Sequence, residues 1–557
     1  MINGEQKKPN MKNEGGEGFR GRFKKVSEGR MRGWIREDIL PLLPSAFFED
    51  PVSFVSGAGG ELIRESKIRW AALLSLPDGR RIFLKRDRTK GWGERLKYLV
   101  FPSKAQKEWI LTLQLEKRRV TTPKPLGWLE KVTEGFVTES FYFAEALGAG
   151  VSAMDEPGRL KEDAAIDDLA RTVRKIHGAG LYHRDFHAGN FLWHKDSLFL
   201  TDLHSAKFLK NLSVGQRLWT LAHLFHSLRS VWGEKEQNRF IRTYLEGDPS
   251  HLPKAEGGQY LQRIHQGMER LLKRQWRSRT KRCLKESTDF SASTEGEMQY
   301  YHWRGFPLDE VKGVLEKHRS LAAEDPSRLI KCSPEVVVSM IEDGRKVVVK
   351  EFRAPHLQDR LKGHFRRSKG LKAWVAGNGL QVRKIVSVKP LALVEGRGKR
   401  EAHGSFLLME AVKEGQELDR YLLRGFKDFS EKRRFIRTCA TWLADLHRRE
   451  IFHKDMKTCN IIVSKREESW NFCLLDLEDV TLNKKVKEKE LFRSLLQLNT
   501  STPRTITRTD RMRFFEEYLR KKPVVGNPRP FLKRLAEESR RRGLVYVSPQ
   551  GVVVEPL

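Results

Sequence analysis

The chain has 557 residues, which is enough for more than one domain with its own hydrophobic core. Its apolar content of 39% suits a folded soluble protein, and no apolar run approaches the roughly 20 residues that span a bilayer. The N-terminal region has no apolar signal segment, so we expect a cytoplasmic protein. Five cysteines without a CxxC pair indicate reduced thiols: Cys283, Cys332, Cys439, Cys459 and Cys473.

The net charge of +34 points to an anionic partner. Nucleic acid, an acidic membrane surface and a phosphorylated substrate all fit, and composition alone does not choose among them. No basic module studded with aromatic side chains supports a nucleic-acid role, so we expect no specific nucleic-acid partner.

The order of segments predicts two domains joined by a linker. Residues 1–30 are rich in Gly, Lys, Glu and Arg, and we predict that they form a disordered basic tail. A first domain over 31–285 is followed by a polar linker at 286–300 and a second domain over 301–557. A short helical piece from Trp34 to Phe48 is predicted to lead into the first domain.

The first candidate site feature is a Gly-rich turn, in which Gly57, Gly59 and Gly60 precede Leu62. Such a turn between two strands brings backbone N–H groups close to phosphates. A plain hairpin turn is the alternative interpretation of the same residues.

A lysine at the end of an apolar strand comes next, where Ile82 leads to Lys85. A lysine on a buried strand is costly unless it meets an anion, and ATP phosphates would supply one. The helical stretch from Ser103 to Leu115 carries Glu108, and in kinases a helix glutamate pairs with the strand lysine. Glu108 alone could be a solvated helix residue, but beside Lys85 the pairing is the favoured interpretation.

A β-rich run from Gly135 to Leu147 predicts the strand and hinge whose backbone meets adenine, with Glu145 and Leu147 at its end. Helical spacing from Ile166 to Ile176 follows, and glycines end that helix. A polar loop follows this helix directly.

The loop that starts at His183 carries residues suited to phosphoryl transfer. Asp185 would accept the proton of an attacking hydroxyl or orient that hydroxyl, while Asn190 and Asp202 would hold Mg²⁺ against ATP phosphates. His183 is interpreted as a structural loop residue, because no HxxxH helix or cysteine partner supports a metal site there.

Only a short segment separates Asp202 from the next helix, which is predicted to begin near Arg217. Protein kinases have a longer segment here that docks a peptide, so a small-molecule, sugar or lipid acceptor is favoured. Further on, a basic amphipathic helix from Met268 to Lys285 could lie on an anionic membrane. Packing of its apolar side on protein is the favoured alternative.

The second half of the chain repeats the first. Lys350 follows Lys85 by 265 residues (350 − 85 = 265), and Asp455, Asn460 and Asp476 repeat the polar loop residues. A repeat of this length indicates a duplicated whole domain.

The two copies differ at the helix glutamate, because Glu108 aligns with Ala373. We therefore expect that the second copy lacks the carboxylate that would orient Lys350. It could be a weak kinase, a kinase for a different acceptor or an ATP-binding regulator. The first copy is favoured as the main catalyst, since poor positioning costs orders of magnitude in rate.

These motifs resemble the bacterial lipopolysaccharide core kinases, namely the core heptose kinase and the Kdo kinase. The resemblance rests on His-Arg-Asp-Phe-His-Ala-Gly-Asn from His183, Asp-Leu-His from Asp202 and the helix around Thr509, and it covers roughly 50–250 and 325–525. It implies an α+β fold with two tandem protein-kinase-like domains, each with a small β-rich N-lobe and a larger helical C-lobe.

The resemblance also implies ATP-dependent phosphorylation of heptose or Kdo on a lipopolysaccharide core or lipid A precursor, with Mg²⁺ as cofactor. The enzyme would then work at the anionic cytoplasmic face of the inner membrane. Lys85 would hold the α- and β-phosphates, and Glu108 would hold Lys85. The alternatives are a protein kinase or small-molecule phosphotransferase of the same fold, and a membrane-associated pseudokinase scaffold; the oligomeric state stays open.

Overall fold

The computed structural model describes residues 22–557 except 67, 149–150, 196, 247–256, 354–367, 397–403, 413 and 524–526. The chain divides into two compact units, one ending at Leu272 and the other running from Lys273 to Leu557. The predicted domain limits at 31–285 and 301–557 stay predictions.

The first unit contains a large antiparallel sheet near its N-terminus. Its strands are β1 Phe23–Glu28, β2 Met31–Arg36, β3 Glu61–Glu65, β4 Arg69–Ser75, β5 Arg81–Arg88, β6 Pro125–Thr133 and β7 Phe136–Glu145. They pair in the order β1-β2-β6-β7-β5-β4-β3. Alternate residues of β5 point to opposite faces, so Ile82 and Leu84 enter the core while Phe83 and Lys85 share the other face.

The helices around this sheet are short, apart from the one that carries Glu108. They are α1 Ser45–Glu49, α2 Pro51–Gly57, α3 Trp92–Val100 and α4 Lys104–Lys117. Ser103 caps α4 by accepting a hydrogen bond from the N–H of Gln106 at 3.3 Å, which satisfies one of the free donors at the helix start.

The rest of the first unit is mainly helical, and its small strands position the polar loops. Its helices are α5 Asp163–Gly178, α6 Val214–Leu228, α7 Glu234–Leu245 and the first part of α8 Gly257–Thr280, which continues beyond Leu272. Its strands are β8 Val151–Ser152, β9 Leu181–His183, β10 Phe191–His194, β11 Ser197–Leu200 and β12 Ala206–Phe208. One apolar core joins α5, α6 and α7 to the loop through Phe186 and Phe191.

The prediction of a disordered tail over 1–30 is wrong in its last part. The first 21 residues lie outside the described residues, but Phe23–Glu28 is an edge strand. Its two inward residues, Phe23 and Val26, are separated by lysines, so the apolar signal is weak. The predicted helical piece from Trp34 to Phe48 is only partly helical, because it starts with the end of β2 and contains a 3-10 turn at Leu40–Leu42 before α1.

The second unit repeats this architecture. Its large sheet has the strands β13 Phe290–Glu295, β14 Met298–Trp303, β15 Lys331–Cys332, β16 Val336–Asp343, β17 Arg345–Phe352, β18 Pro390–Gly396 and β19 Ser405–Glu410. The order β13-β14-β18-β19-β17-β16-β15 is that of the first sheet. The remaining strands are β20 Gln416–Glu417, β21 Ile451–His453, β22 Ile461–Arg466, β23 Ser469–Leu474, β24 Val480–Leu482, β25 Leu544–Ser548 and β26 Gly551–Glu555.

The helices of the second unit include a counterpart of α4. They are α9 Leu308–Glu324, α10 Lys369–Val382, α11 Leu418–Leu423, α12 Phe429–Arg448, α13 Glu488–Ser501, α14 Arg508–Lys521 and α15 Pro528–Arg542. Helix α10 is the repeat of α4, since the 265-residue offset relates both of their ends (369 − 104 = 265 and 382 − 117 = 265).

The prediction of a linker at 286–300 is wrong, because this stretch contains β13 and the start of β14. Phe290 of β13 packs edge-on against Trp374, with ring centroids 5.9 Å apart. Phe23 packs in the same way against Trp109 at 5.3 Å. The duplication therefore extends to the first strand of each sheet, beyond what the sequence comparison found.

The amphipathic stretch from Met268 to Lys285 forms the end of α8 and a 3-10 turn, and its apolar side packs on protein. Leu271 belongs to the core of the first unit, and the Trp276 ring lies 4.9 Å from the Arg383 guanidinium. The favoured alternative for this helix is therefore confirmed. Among the described helices, none is long and apolar enough to cross a bilayer.

Candidate active site

Lys85 lies in the middle of β5, not at its end as expected, and points away from the sheet core. Its Nζ donates to Glu108 Oε2 at 3.0 Å and also contacts the Asp202 carboxylate. Burial lowers the pKa of the ammonium, but the charges of Glu108 and Asp202 outweigh this and leave the pKa raised. Lys85 therefore stays positively charged inside the cleft.

Glu108 is buried in α4, and its neighbours are polar. Thr112 Oγ1 donates to the Glu108 carbonyl at 2.8 Å and lies 3.2 Å from the Tyr142 hydroxyl. The second carboxylate oxygen, Oε1, accepts from the N–H of Leu203 at 3.3 Å. The expected pairing with Lys85 is present, and the same carboxylate also holds the loop that follows Asp202.

Asp202 has a left-handed backbone with φ of 59°, an uncommon conformation that Asp tolerates better than most residues. Its carboxylate accepts from His204 Nδ1 at 2.5 Å as well as from Lys85. Burial raises the pKa of Asp202, but the hydrogen bond from His204 and the charge of Lys85 hold it well below its usual range. Asp202 is therefore ionised.

The loop from His183 to Asn190 is held by its own side chains. His183 is fully buried; its Nε2 donates to the Asp202 carbonyl at 3.0 Å, and its Nδ1 accepts from the N–H of Asp185 at 3.2 Å. Asn190 Nδ2 donates to the Asp185 carbonyl at 2.8 Å. The Asp185 carboxylate itself stays 65% exposed, so it is presented to solvent at a fixed place.

A cleft of about 460 Å³ brings some of these groups together, but its described lining does not include Asp185 or Asn190. Lys85, Glu108 and Asp202 line it, and so do Glu145 and Leu147, as the predicted adenine hinge requires. Apolar side chains also line the cleft, among them Ala71, Leu73, Phe83, Leu192 and Leu200. A cleft that combines apolar side chains with a fixed ammonium and carboxylates suits a nucleotide, whose base would contact the apolar side chains.

The predicted position of the Gly-rich turn is wrong. Gly57 ends helix α2, and Gly59 and Gly60 lie in the turn between α2 and β3, not between two strands. These glycines are absent from the described lining of the cleft. Strand β3 ends at Glu65 and strand β4 begins at Arg69, and the sequence between them contains no glycine.

Arg69 is a cleft residue that the sequence did not single out. It begins β4, lines the cleft, and its Nη2 donates to His204 Nε2 at 3.0 Å. Its Nε also pairs with Asp87 at 3.3 Å. The sequence shows that Arg69 is basic, but only the fold places it beside His204.

The described residues contain one group of His, Cys, Asp or Glu with metal-ligand spacing, formed by Glu108, Asp202 and His204 with ligand atoms within 4.8 Å. The Lys85 ammonium already lies against two of its members, which opposes a second cation there. The predicted pair fits Mg²⁺ better, because hard oxygen ligands suit this ion. Because Asn190 Nδ2 donates to the Asp185 carbonyl, its Oδ1 is left as the oxygen that could bind such an ion.

The segment after Asp202 is short, as predicted. A 3-10 turn at Leu203–Ser205 and strand β12 lead to α6, which begins at Val214 and is capped by Ser213. The helix start near Arg217 was therefore placed about one turn too late.

The second unit has a matching constellation. Lys350 Nζ donates to Asp476 at 2.7 Å and to Glu478 at 2.6 Å. Ala373 is fully buried where α4 has Glu108. The expectation that Lys350 lacks an orienting carboxylate is wrong, because Glu478 supplies one from the loop instead of the helix.

The repeated polar loop of the second unit is also in place. Asn460 Nδ2 donates to the Asp455 carbonyl at 2.8 Å, which repeats the contact between Asn190 and Asp185. Asp455 differs in its surroundings, because its carboxylate pairs with Lys457 at 3.0 Å.

Comparison with known proteins identifies this arrangement. The model of the lipopolysaccharide kinase (Kdo/WaaP) family matches residues 61–244 and 342–518, which together exceed half of the chain. The chain belongs to this family. It contains two family regions in tandem, each with an antiparallel sheet followed by helices.

Individual relatives are kinases of the lipopolysaccharide core. The core heptose(I) kinase WaaP of Pseudomonas aeruginosa is 29% identical over 231 residues, covering 38% of this chain and 85% of that protein. The protein of the same name from Escherichia coli K12 is 27% identical over 218 residues, covering 35% and 82%. The solved structure of WaaP in complex with acyl carrier protein is 25% identical with a TM-score of 0.32, covering 44% of this chain and 99% of that one.

Family membership confirms the expected class of enzyme, an ATP-dependent phosphotransferase with a kinase-like α+β fold. The family matches enclose Lys85, Asp185 and Asp202 in the first region and Lys350, Asp455 and Asp476 in the second. The roles of these individual residues stay predictions.

Proposed function

We propose that the first unit phosphorylates a sugar hydroxyl, of heptose or Kdo, on a lipopolysaccharide core or lipid A precursor, with ATP as donor. The observation that supports this proposal is that Lys85, paired with Glu108 and Asp202, lines a cleft of about 460 Å³. The names of the relatives supply the acceptor class.

Positioning of ATP is the first task of the site. The adenine would lie between Phe83, Leu73 and the hinge at Glu145 to Leu147, which places the phosphates toward Lys85. Lys85 would hold the α- and β-phosphates, since its charge is kept in place by two carboxylates. Mg²⁺, when bound by Asn190 and Asp202, would neutralise charge that develops on the phosphates.

Asp185 would serve the acceptor. It is exposed while its backbone is fixed by His183 and Asn190, so an incoming hydroxyl can reach it without rearrangement of the loop. A carboxylate in this position takes the hydroxyl proton or orients the oxygen for in-line attack.

Basic side chains lie close to the loops that carry Asp185 and Asp202. Lys107 Nζ donates to the His204 carbonyl at 3.1 Å, and its pKa is lowered by burial and by the charges of Arg184, Lys97 and Lys207. Four cations this close to one another repel, and an anionic acceptor would relieve that repulsion. A lipid A or core precursor carries such anionic groups, whereas a neutral sugar does not.

Helix α3 supports work at an anionic membrane surface. Trp92, Leu96, Leu99 and Val100 lie on one face of this helix and are each about half exposed or more. Lys97 of the same helix belongs to the basic group around Lys107. A short helix with an exposed apolar face next to cations is typical of an interfacial anchor.

The short segment from Leu203 to Ser213 argues against a protein acceptor. In protein kinases the corresponding segment is longer and forms the platform for the substrate peptide. A sugar on a lipid needs no such platform.

The test is phosphate transfer from labelled ATP to purified lipopolysaccharide core, followed by mass spectrometry of the product. We expect Asp185→Ala to lower the rate by about 10²- to 10⁴-fold while ATP binding persists. Asp168→Ala, which removes an exposed carboxylate on α5, is the matched control with the wild-type rate. Label found only on protein side chains would contradict the proposed acceptor, and full activity of Asp185→Ala would contradict the proposed residue.

A further inference from the structure

Each of the two lysine sites contains one lysine and two carboxylates, but the carboxylates come from different elements of the fold. Lys85 is paired with a helix carboxylate and a loop carboxylate, Glu108 and Asp202, whereas Lys350 is paired with two loop carboxylates, Asp476 and Glu478. Both lysine side chains are 12% exposed. One buried lysine with two carboxylates is thus retained in both units although the helix glutamate is not.

The helix has changed together with the loop. In the first unit Glu108 lies beside the polar side chains of Thr112 and Tyr142. In the two sheets, the cross-strand partner of Lys85 is Tyr142 and that of Lys350 is Leu407. The 265-residue offset places Gly377 at the position of Thr112 (377 − 112 = 265). In the second unit, the polar residues Glu108, Thr112 and Tyr142 are therefore replaced by Ala373, Gly377 and Leu407, which form an apolar and closely packed surface.

The loop position that gained the carboxylate is occupied by His204 in the first unit, 274 residues earlier (478 − 204 = 274). His204 donates to Asp202 there, whereas Glu478 accepts directly from Lys350. The Glu478 side chain is 16% exposed, so its charge is largely withdrawn from water and needs Lys350.

We propose that the second unit is itself a nucleotide-binding site, in which Glu478 is the positioning residue for Lys350. Glu478 does there what Glu108 does in the first unit, and the ligand is a nucleoside triphosphate with its phosphates on Lys350. This second site is additional to the sugar-kinase function proposed for the first unit.

The remaining phosphate-side geometry of the second unit agrees with a working site. The N–H of Asp455 donates to His453 at 3.2 Å, the distance found between Asp185 and His183. Asp476 has the same left-handed backbone as Asp202, with φ of 44°. If the ion pairs of Lys350 served only folding, the left-handed backbone of Asp476 would not be required as well.

The test uses the full wild-type chain and an acyl-phosphate derivative of ATP, which transfers its acyl group to a lysine amine close to the bound phosphates. Peptide mass spectrometry then reads the labelling of Lys85 and Lys350 separately, with and without an excess of ATP. We expect both lysines to be labelled and both to be protected by ATP.

Two matched variants separate positioning from folding. Glu478→Gln is expected to raise the ATP concentration for half-protection of Lys350 roughly tenfold and to leave the value for Lys85 unchanged. Glu108→Gln is expected to do the reverse. Addition of Ala373→Glu to Glu478→Gln, which returns a carboxylate to the helix, is expected to restore part of the protection at Lys350.

The outcomes are distinct. Protection of Lys85 without protection of Lys350 overturns the second site and leaves the proposed function standing. Protection of Lys350 that is unaffected by Glu478→Gln overturns the positioning role. If ATP protected neither lysine, ATP use by the first unit would be contradicted as well, and both proposals would be wrong.

Discussion

Glu108 Oε1 accepts a hydrogen bond from the backbone N–H of Leu203 at 3.3 Å, while Oε2 of the same carboxylate binds Lys85 at 3.0 Å. One buried side chain therefore ties helix α4 both to the phosphate lysine and to the loop that presents Asp202. This contact differs from a simple ion pair, because its loss disturbs two elements of the site at once.

Glu108→Gln tests this double contact. The amide keeps the shape and one acceptor but removes the charge, so Lys85 is held less firmly and we expect kcat to fall about 100-fold. Steady-state kinetics with core acceptor and varied ATP provides the measurement. Glu116→Gln, on the exposed end of the same helix, is the control and should leave kcat within about twofold of the wild type. An equal loss in both variants would point to damage of α4 as a whole.

Helix α3 should bind lipid. Leu96→Glu and Leu99→Glu each place a charge on its exposed apolar face, and we expect binding to vesicles of anionic phospholipid to weaken roughly tenfold or more. Co-sedimentation with vesicles measures this, and raised salt should weaken the wild type as well. Val554→Glu, on an exposed valine of β26, is the control. If that control lost as much binding, the proposed lipid contact of α3 would be wrong.

His447 should make the second unit sensitive to acid. It is buried, its Nδ1 lies 2.7 Å from the Tyr518 hydroxyl, and burial together with the charge of Lys522 lowers its pKa to about 3. The unfolded chain, with the ordinary pKa of 6.5, takes up the proton first as pH falls. The free energy of unfolding should therefore keep its full value above pH 6.5 and decrease by about 1.4 kcal/mol for each pH unit below 6.5.

Hydrogen exchange of α12 at pH 7 and pH 5, corrected for the intrinsic rates, measures this slope. His447→Gln, which cannot titrate, should flatten it, whereas His265→Gln, on an exposed part of α8, should not. A slope that is the same in wild type and His447→Gln would assign the acid sensitivity to other groups.

Gly180 positions the catalytic loop through its backbone. Its φ is 80°, and a Cβ there would lie 2.4 Å from the Leu209 carbonyl oxygen. Gly180→Ala should therefore cost more than about 1 kcal/mol in stability and lower the kinase rate. Gly178→Ala, two residues earlier at the end of α5 with open space around its Cβ, should be neutral or slightly stabilising. Thermal unfolding and activity of the two variants provide the comparison; equal Tm values would refute the strain argument.

The sequence predicted much of the site because its parts are local motifs. Lys85 on an apolar strand, Glu108 on a capped helix and the polar loop at Asp185 each follow from spacing that a single element produces. The Gly-rich turn was misplaced because glycine signals a turn without saying which elements the turn joins. The strands at Phe23 and Phe290 were missed because edge strands bury few residues and their polar positions look like linker.

The sequence by itself determined which residues each site contains: a lysine, two aspartates and an asparagine, in the order typical of a phosphotransferase, in each of two copies. It also showed that the second copy lacks the counterpart of Glu108. Only the tertiary structure decided the pairing. Lys350 and Glu478 are separated by 128 residues, yet their charged atoms lie 2.6 Å apart. Electrostatic contact depends on distance through the fold, not along the chain, so a carboxylate can move from helix to loop while the lysine keeps its partner.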